Sequence, residues 1–342
     1  MRRLPAEWEP QCSVMLVWPH DDTDWAPCLE QVAAVYAEIA LNIIRHESLL
    51  IVCRDIRHRS MVMSQLESAG ADLSRVVFSC APSNDTWIRD TGPITVLDGD
   101  TPKLLHFKFN GWGDKYPHHL DRQLTRRLHE AGVFRETPCC SIDFTLEGGS
   151  IESDGNGVLL TTRRCLLSPS RNPGLDEESI AALCSVWFGA RRIIWLKHGL
   201  IIGDDTDGHI DMLARFCDPH TIAYCACEDT ADVHYTELQA MAAELSALTT
   251  DEGKPYRLVP LPLPAPIIDA SGQRLPASYA NFLIINQAVL APCYDDPADE
   301  VALSRLATCF PGREVIGIPC RRLIQQHGSL HCVTMQLPAG VL

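Results

Sequence analysis

Strands and helices alternate along this chain, and the alternation predicts an α/β fold. Apolar runs of strand length recur, beginning with Ser13-Val14-Met15-Leu16-Val17-Trp18 and Leu49-Leu50-Ile51-Val52-Cys53. Between the two, Leu29, Val32, Ala33, Tyr36, Ile39, Ala40, Ile43 and Ile44 fall at helical spacing. Further helices are predicted over 118–131, 176–187, 230–248 and 298–308, with a shorter one over 57–69. The 230–248 helix carries Leu238, Met241, Ala242, Leu245 and Leu248 on one face. Strands are predicted at 76–79, 94–97, 104–109, 157–162, 192–196, 209–216, 221–226, 279–286, 288–291, 314–318 and 330–336. The proline-rich run 259–266 reads as an extended loop packed on the body. No linker or low-complexity stretch interrupts the series, so residues 1–342 read as a single domain. The main helix recurs about five times, at irregular intervals. Pattern alone leaves a barrel, a doubly wound sheet and a radial repeat open.

Hydrophobic residues make up 46% and charged residues 21%, as in an ordinary soluble domain. Lys and Arg total 29 against 44 Asp and Glu, a net charge of -15. That balance excludes nucleic acid as an expected partner, because phosphate binding needs a basic face. It suits a small cationic substrate, since acidic clefts concentrate cations, and it also suits plain solubility. The N-terminal segment has no apolar signal core, and no apolar run is read as a membrane span of roughly 20 residues. The expectation is a cytoplasmic protein with no membrane partner; a homodimer or higher homo-oligomer is left open.

Fifteen cysteines in such a chain read mainly as reduced core residues. Cys53, Cys80, Cys184 and Cys217 lie in or beside apolar runs and fit that reading. Cys139-Cys140 and Cys225-Ala226-Cys227 lack a second pair at zinc spacing, so no metal is expected. Phosphate-cradling glycine loops and a serine-hydrolase elbow are absent as well.

Five polar patches supply the chemistry. Gly328-Ser329-Leu330-His331-Cys332 precedes an alternating stretch, so the Cys332 thiol is either core or the start of a strand pointing into a cleft. Asp207-Gly208-His209-Ile210-Asp211 puts His209 and Asp211 on one face if it is a strand; a solvated turn is the other reading. Trp87-Ile88-Arg89-Asp90 offers an aromatic face and an anion for a cation, or else a surface Trp with an Arg89–Asp90 contact. Asn110-Gly111-Trp112-Gly113 and Glu147-Gly148-Gly149 read as tight turns. A thiol, an imidazole and three carboxylates together suit attack on the carbon of a bound cation.

With Pro5-Ala6-Glu7-Trp8-Glu9-Pro10 and Ser278-Tyr279-Ala280-Asn281 added, these motifs stand in an order that resembles the agmatine deiminase and bacterial peptidylarginine-deiminase-type family, from residue 5 to 336. The resemblance implies the pentein fold, a five-bladed α/β propeller with pseudo-fivefold repeats around a central active site. It implies Cys332 as nucleophile, His209 as general acid and base, and Glu147 as the acidic partner of His209. Asp90 and Asp211 would hold the guanidinium, with Trp87, Trp112 and Gly328 in the substrate pocket. The reaction implied is hydrolysis of a guanidine, foremost agmatine to N-carbamoylputrescine and ammonia, through a Cys-linked thiouronium, with no metal or organic cofactor. Deimination of arginine, peptidyl arginine or another guanidine is the alternative; amidino transfer and non-catalytic guanidine binding follow it. An arginine enzyme would need a cation for the α-carboxylate, with Arg89, Arg163 and Arg171 as candidates. Gln326 and His327 stand where the family has glycines, adding bulk beside the nucleophile.

Overall fold

One unit of secondary structure is repeated five times. The computed structural model describes residues 2–342 and holds five separate sheets of three or four strands. In each, an antiparallel pair of strands is followed by a helix that returns the chain to a third strand, parallel to the second. Ile94–Asp98 and Thr101–Lys108 are such a pair, and Leu124–Glu130 leads to Cys139–Thr145. Ile151–Ser153 and Val158–Thr162 continue through Glu177–Phe188 to Arg192–Leu196. Ala214–Asp218 and Thr221–Cys225 continue through Tyr235–Ser246 to Arg257–Leu261. Leu283–Ile284 and Ala288–Cys293 continue through Ala298–Cys309 to Glu314–Pro319. The fifth unit joins the chain's two ends: Met335–Pro338 pairs antiparallel with Gln11–Val17, and Leu29–Ile44 leads to Ser48–Cys53. Here Ile56–Ser68 adds one more parallel strand, Val76–Cys80.

Local sequence explains the elements. Asp176 accepts a hydrogen bond from the Ser179 amide to start its helix, and Gly189, at φ 66°, ends it. Leu29–Ile44 buries Val32, Val35, Tyr36, Ile39 and Ile43 on one face, each such side chain contributing about 1.5–3 kcal/mol. By length and composition residues 26–44 could cross a membrane, contrary to the sequence expectation, yet this face packs into the main hydrophobic core. Leu238, Met241 and Leu245 bury the corresponding face of Tyr235–Ser246.

Several sequence expectations are corrected. The helix expected at 118–131 is regular only over Leu124–Glu130. The one expected at 230–248 starts at Tyr235, because Asp232 folds the chain into a turn by accepting from the His234 amide. Within the run read as a loop, Arg257–Leu261 is a strand, its Pro260 tolerated at the sheet edge. Cys80 is exposed, whereas Cys53, Cys184 and Cys217 are buried as expected. Most consequentially, 209–213 and 330–334 are turns. Met212 N–H bonds to His209 O and Thr334 N–H to His331 O, and the strands begin only at Ala214 and Met335. The apolar alternation misled because turn and strand bury the same side.

Candidate active site

Four of the five polar patches, and the motif at 278–281, occupy equivalent places, each being the bend that enters the first strand of a unit; the patch at 110–113 instead follows the second strand, Thr101–Lys108. Residues 87–92 precede Ile94–Asp98 and 147–150 precede Ile151–Ser153. Residues 206–213 precede Ala214–Asp218, 278–282 precede Leu283–Ile284, and 328–334 precede Met335–Pro338. Hydrogen bonds between motifs bring all five together.

Asp90 is held from both sides. Its Oδ1 accepts from the Gly149 amide at 2.9 Å and its Oδ2 from Trp112 Nε1 at 2.9 Å. Trp112 reaches it from a left-handed backbone, φ 56°. Burial lifts the Asp90 carboxyl to about 6, against the pull of the His209 cation. His209 lies with Nδ1 3.7 Å from Asp90 Oδ1 and Nε2 4.0 Å from Glu147 Oε2. Burial alone would make His209 acidic; Asp90, Cys165 and Glu147 outweigh it and raise the imidazole well above its usual range. His209 therefore rests as a cation.

Glu147 and the 206–211 bend are locked by Arg171, which sequence reading had not placed in the site. Its Nε donates to Glu147 Oε1 at 2.9 Å, and its terminal nitrogens bind Thr206 O and Asp207. Asp204 adds an acceptor for the Thr206 and Gly208 amides. The acidic cluster there is thus largely scaffold. Glu147, Cys165 and His209 offer ligand atoms within 4.8 Å of one another. The Arg171 guanidinium on Glu147 and the His209 cation disfavour a metal ion among them.

Asp211 Oδ2 accepts from His331 Nδ1 at 2.9 Å and lies 3.7 Å from Cys332 Sγ. Burial opposes its charge most strongly, but the His331 hydrogen bond and the pull of His331, His209 and Arg215 together outweigh it and hold Asp211 below the usual carboxylate range. His331 Nε2 meets Glu7 Oε1 at 2.8 Å. His331 thus backs Asp211 and is not among the residues that line the cavity beside Cys332. Burial, with Asp211 and Asp90, pushes the Cys332 thiol well up.

Three buried atoms of this group have no hydrogen-bond partner among the described residues: Glu147 Oε2, His209 Nε2 and Asp211 Oδ1. Unpartnered buried polar atoms are costly, and these three residues belong to one cluster around Gly149. Beside it opens a cavity of about 200 Å³, lined by Cys332, Asp90, Trp87, Trp112, Tyr116 and Gly328, with Asp24, Asp85, Asp205, Gln326 and His327 also on its walls. A smaller cavity of about 80 Å³ beside Glu7 and Arg89 reaches neither Cys332 nor Asp90.

The sequence matches the model of the Porphyromonas-type peptidyl-arginine deiminases over residues 3–338. The chain belongs to that family. It is 32% identical to the agmatine deiminase of Pseudomonas fluorescens, covering 98% of this chain and 95% of the relative. Among solved structures, a substrate-bound cysteine-to-serine variant of C. jejuni agmatine deiminase is 38% identical, TM-score 0.91, covering 100% of this chain and 98% of the other. The "putative arginine deiminase" of Porphyromonas gingivalis is 49% identical, TM-score 0.94, covering 100% of both chains. The mixed α/β fold is shared with these members.

Every residue singled out from sequence, namely Cys332, His209, Glu147, Asp90, Asp211, Trp87, Trp112 and Gly328, lies at this site or lines its cavity. The alternative reading, a surface Trp87 with an Arg89–Asp90 contact, does not hold among the described residues: Trp87 is buried and Arg89 turns to Glu7, Gln336 and His331 O. Gly149, read as part of a turn, is central. A Cβ on it would sit 2.6 Å from His209 Nδ1 and 3.0 Å from both Asp90 Oδ1 and Asp211 Oδ2.

A Cβ on Gly328 would stand 2.2 Å from Trp87 Cζ3. Gly328→Ala is therefore expected to displace the Trp87 ring and raise KM by about tenfold, the weight of ~1.4 kcal/mol of lost contact; steady-state kinetics on the folded variant check this. Both Asp90 oxygens accept from N–H groups, so an Asn in either orientation would set its NH₂ against a donor. Asp90→Asn is expected to cost on the order of 3–5 kcal/mol in kcat/KM. In the unmodified enzyme kcat/KM should fall as pH drops through about 6, where Asp90 takes up a proton and loses its charge. A pH–rate profile of the free enzyme reads this limb directly.

Proposed function

We propose that this protein hydrolyses the guanidinium of agmatine, giving N-carbamoylputrescine and ammonia. One observation carries the deimination: Asp211 Oδ2 stands 3.7 Å from the Cys332 thiol, and Cys332 shares the wall of one cavity with Asp90. A guanidinium is planar and cationic, so carboxylates can grip it edge-on and fix its carbon opposite the sulfur. Its charge also offsets the carboxylates that oppose thiolate formation. The thiolate adds to the carbon; the C–N bond then breaks as His209 gives its proton to the departing ammonia. Water, deprotonated by the now neutral His209, attacks the thiouronium, and the C–S bond breaks to return the thiolate. Guanidinium and water go in; a urea and ammonium come out, with no external oxidant, reductant or cofactor.

The tail of the substrate is read from the mouth of the cavity. Asp24, Asp85 and Asp205 line it, and no Arg or Lys does. Arg89 is bound behind the site, Arg171 to Glu147 and Asp207, and Arg163 to Glu177. That leaves no arginine for the α-carboxylate of free arginine, whereas an aliphatic ammonium suits the acidic rim. His327 and Gln326 narrow the same mouth, with His327 at φ 67°, a backbone that favours glycine, and Nδ1 2.8 Å from Gly203 O. This bulk favours a slender tail over a peptide.

The five units are read as five blades around this site, each contributing one bend, and the sheet that unites both chain ends supports that arrangement. Fifteen free cysteines support a reducing, cytoplasmic compartment. The test is a panel of agmatine, arginine, a peptidyl arginine and other guanidines, without any amine acceptor, assayed for ammonia and for the ureido product. Agmatine should lead. Equal or faster turnover of arginine would overturn the tail assignment, and no ammonia from any member would overturn the reaction.

A further inference from the structure

Four of the five bends supply the groups used above; the remaining one, 278–282, supplies Asn281. Its side chain is fully buried. Oδ1 accepts from the backbone amides of His331 at 2.9 Å and Cys332 at 3.4 Å. Nδ2 lies 3.3 Å from Cys332 Sγ. A thiolate has no proton to donate, so of the two carboxamide atoms near the sulfur only Nδ2, through its N–H, can hydrogen-bond to the anion. The bend that carries it is fixed: Ser278 Oγ donates to Met212 O at 2.6 Å, Tyr294 Oη donates to Ser278 O at 2.9 Å, and His331 N–H bonds to Asn281 O at 3.2 Å.

We propose that Asn281 is a catalytic residue that donates a hydrogen bond to the Cys332 thiolate. The assignment rests on the deimination reading, in which that thiolate is the nucleophile. The sulfur's surroundings require such a donor: Asp211 stands 3.7 Å away, Asp90 is nearby, and the sulfur is buried. Among the described residues Asn281 is the one side chain that presents an N–H to it. The same carboxamide also suits the resting thiol, whose S–H can donate to Oδ1 at 3.4 Å. Both protonation states are thus served without movement, a preorganised arrangement.

The test is the pH dependence of Cys332 alkylation by iodoacetamide, followed on the Cys332 peptide by mass spectrometry. Asn281→Leu keeps the volume and removes the donor. It is expected to move the profile to higher pH, slowing alkylation about 10- to 100-fold at a fixed pH below the pKa. The value of kcat should fall in parallel, with the KM for agmatine nearly unchanged. A folded Asn281→Leu protein that alkylates on the wild-type profile overturns the proposal. Should the leucine variant not fold, Asn281→Ala decides: it removes the donor and adds no charge beside the sulfur, so an unshifted alkylation profile overturns the proposal and an upward shift supports it. Ammonia release by the wild-type protein is measured in the same buffers. A wild type that releases none sinks the deimination reading while the alkylation shift still reports on Asn281.

Discussion

Replacing Cys332 by alanine is expected to abolish turnover and leave agmatine bound. Removing the nucleophile removes the covalent route, a loss on the order of 10⁴–10⁶-fold in kcat when the rest of the machinery is intact. Affinity should survive, because in the proposed reaction the cation is gripped by Asp90, Asp211 and Glu147 and not by the sulfur. All three remain fixed without it. Asp90 keeps Gly149 N and Trp112 Nε1, Asp211 keeps His331, and Glu147 keeps Arg171. Calorimetry of the alanine variant with agmatine, beside single-turnover ammonia release, separates the two effects. Residual steady-state activity near wild type would remove Cys332 from the mechanism.

The second large effect is expected at His209. In the proposed reaction it is donor to the leaving ammonia and acceptor from the attacking water, so His209→Ala should slow each half by about 10²–10⁴-fold. The substitution leaves Asp90 without its cation, whereas Glu147 keeps Arg171. The acid limb set by Asp90 should therefore move to higher pH, since the His209 charge is what opposes the burial that raises Asp90. His331→Ala has a different signature. His331 ties Asp211 to Glu7, so its loss frees the Asp211 carboxylate and should appear mainly in KM. A dead His331 variant beside an active His209 variant, both with native circular dichroism, would reverse the two assignments.

The site was legible in the sequence where chemistry and chain punctuation coincide. Cys332, His209, Asp90, Asp211 and Glu147 each sit beside a glycine or in a short polar patch between apolar runs, and all five converge. What stayed hidden depends on long-range contacts. Asn281 meets Cys332 across 51 positions and Arg171 meets Glu147 across 24, and neither pairing leaves a local pattern. Gly149 looked like any turn residue, yet its missing Cβ is what lets His209, Asp90 and Asp211 meet. The fivefold unit was visible only as a recurring helix, because the antiparallel pairs are short and their register is not written in composition. The strand readings at 209–216 and 330–336 failed for one reason. A bend feeding a buried strand carries the same apolar alternation, and only its backbone hydrogen bonds reveal the turn.

The most direct measurement is an acid quench of the protein with agmatine during turnover, followed by mass analysis of its peptides. Deimination through Cys332 predicts that the peptide containing Cys332 gains the mass of agmatine less one ammonia, that the adduct is labile to water, and that it is absent from Cys332→Ala. Ammonia and ureido product formed with no adduct on Cys332, or with an adduct on another of the fifteen cysteines, would contradict it.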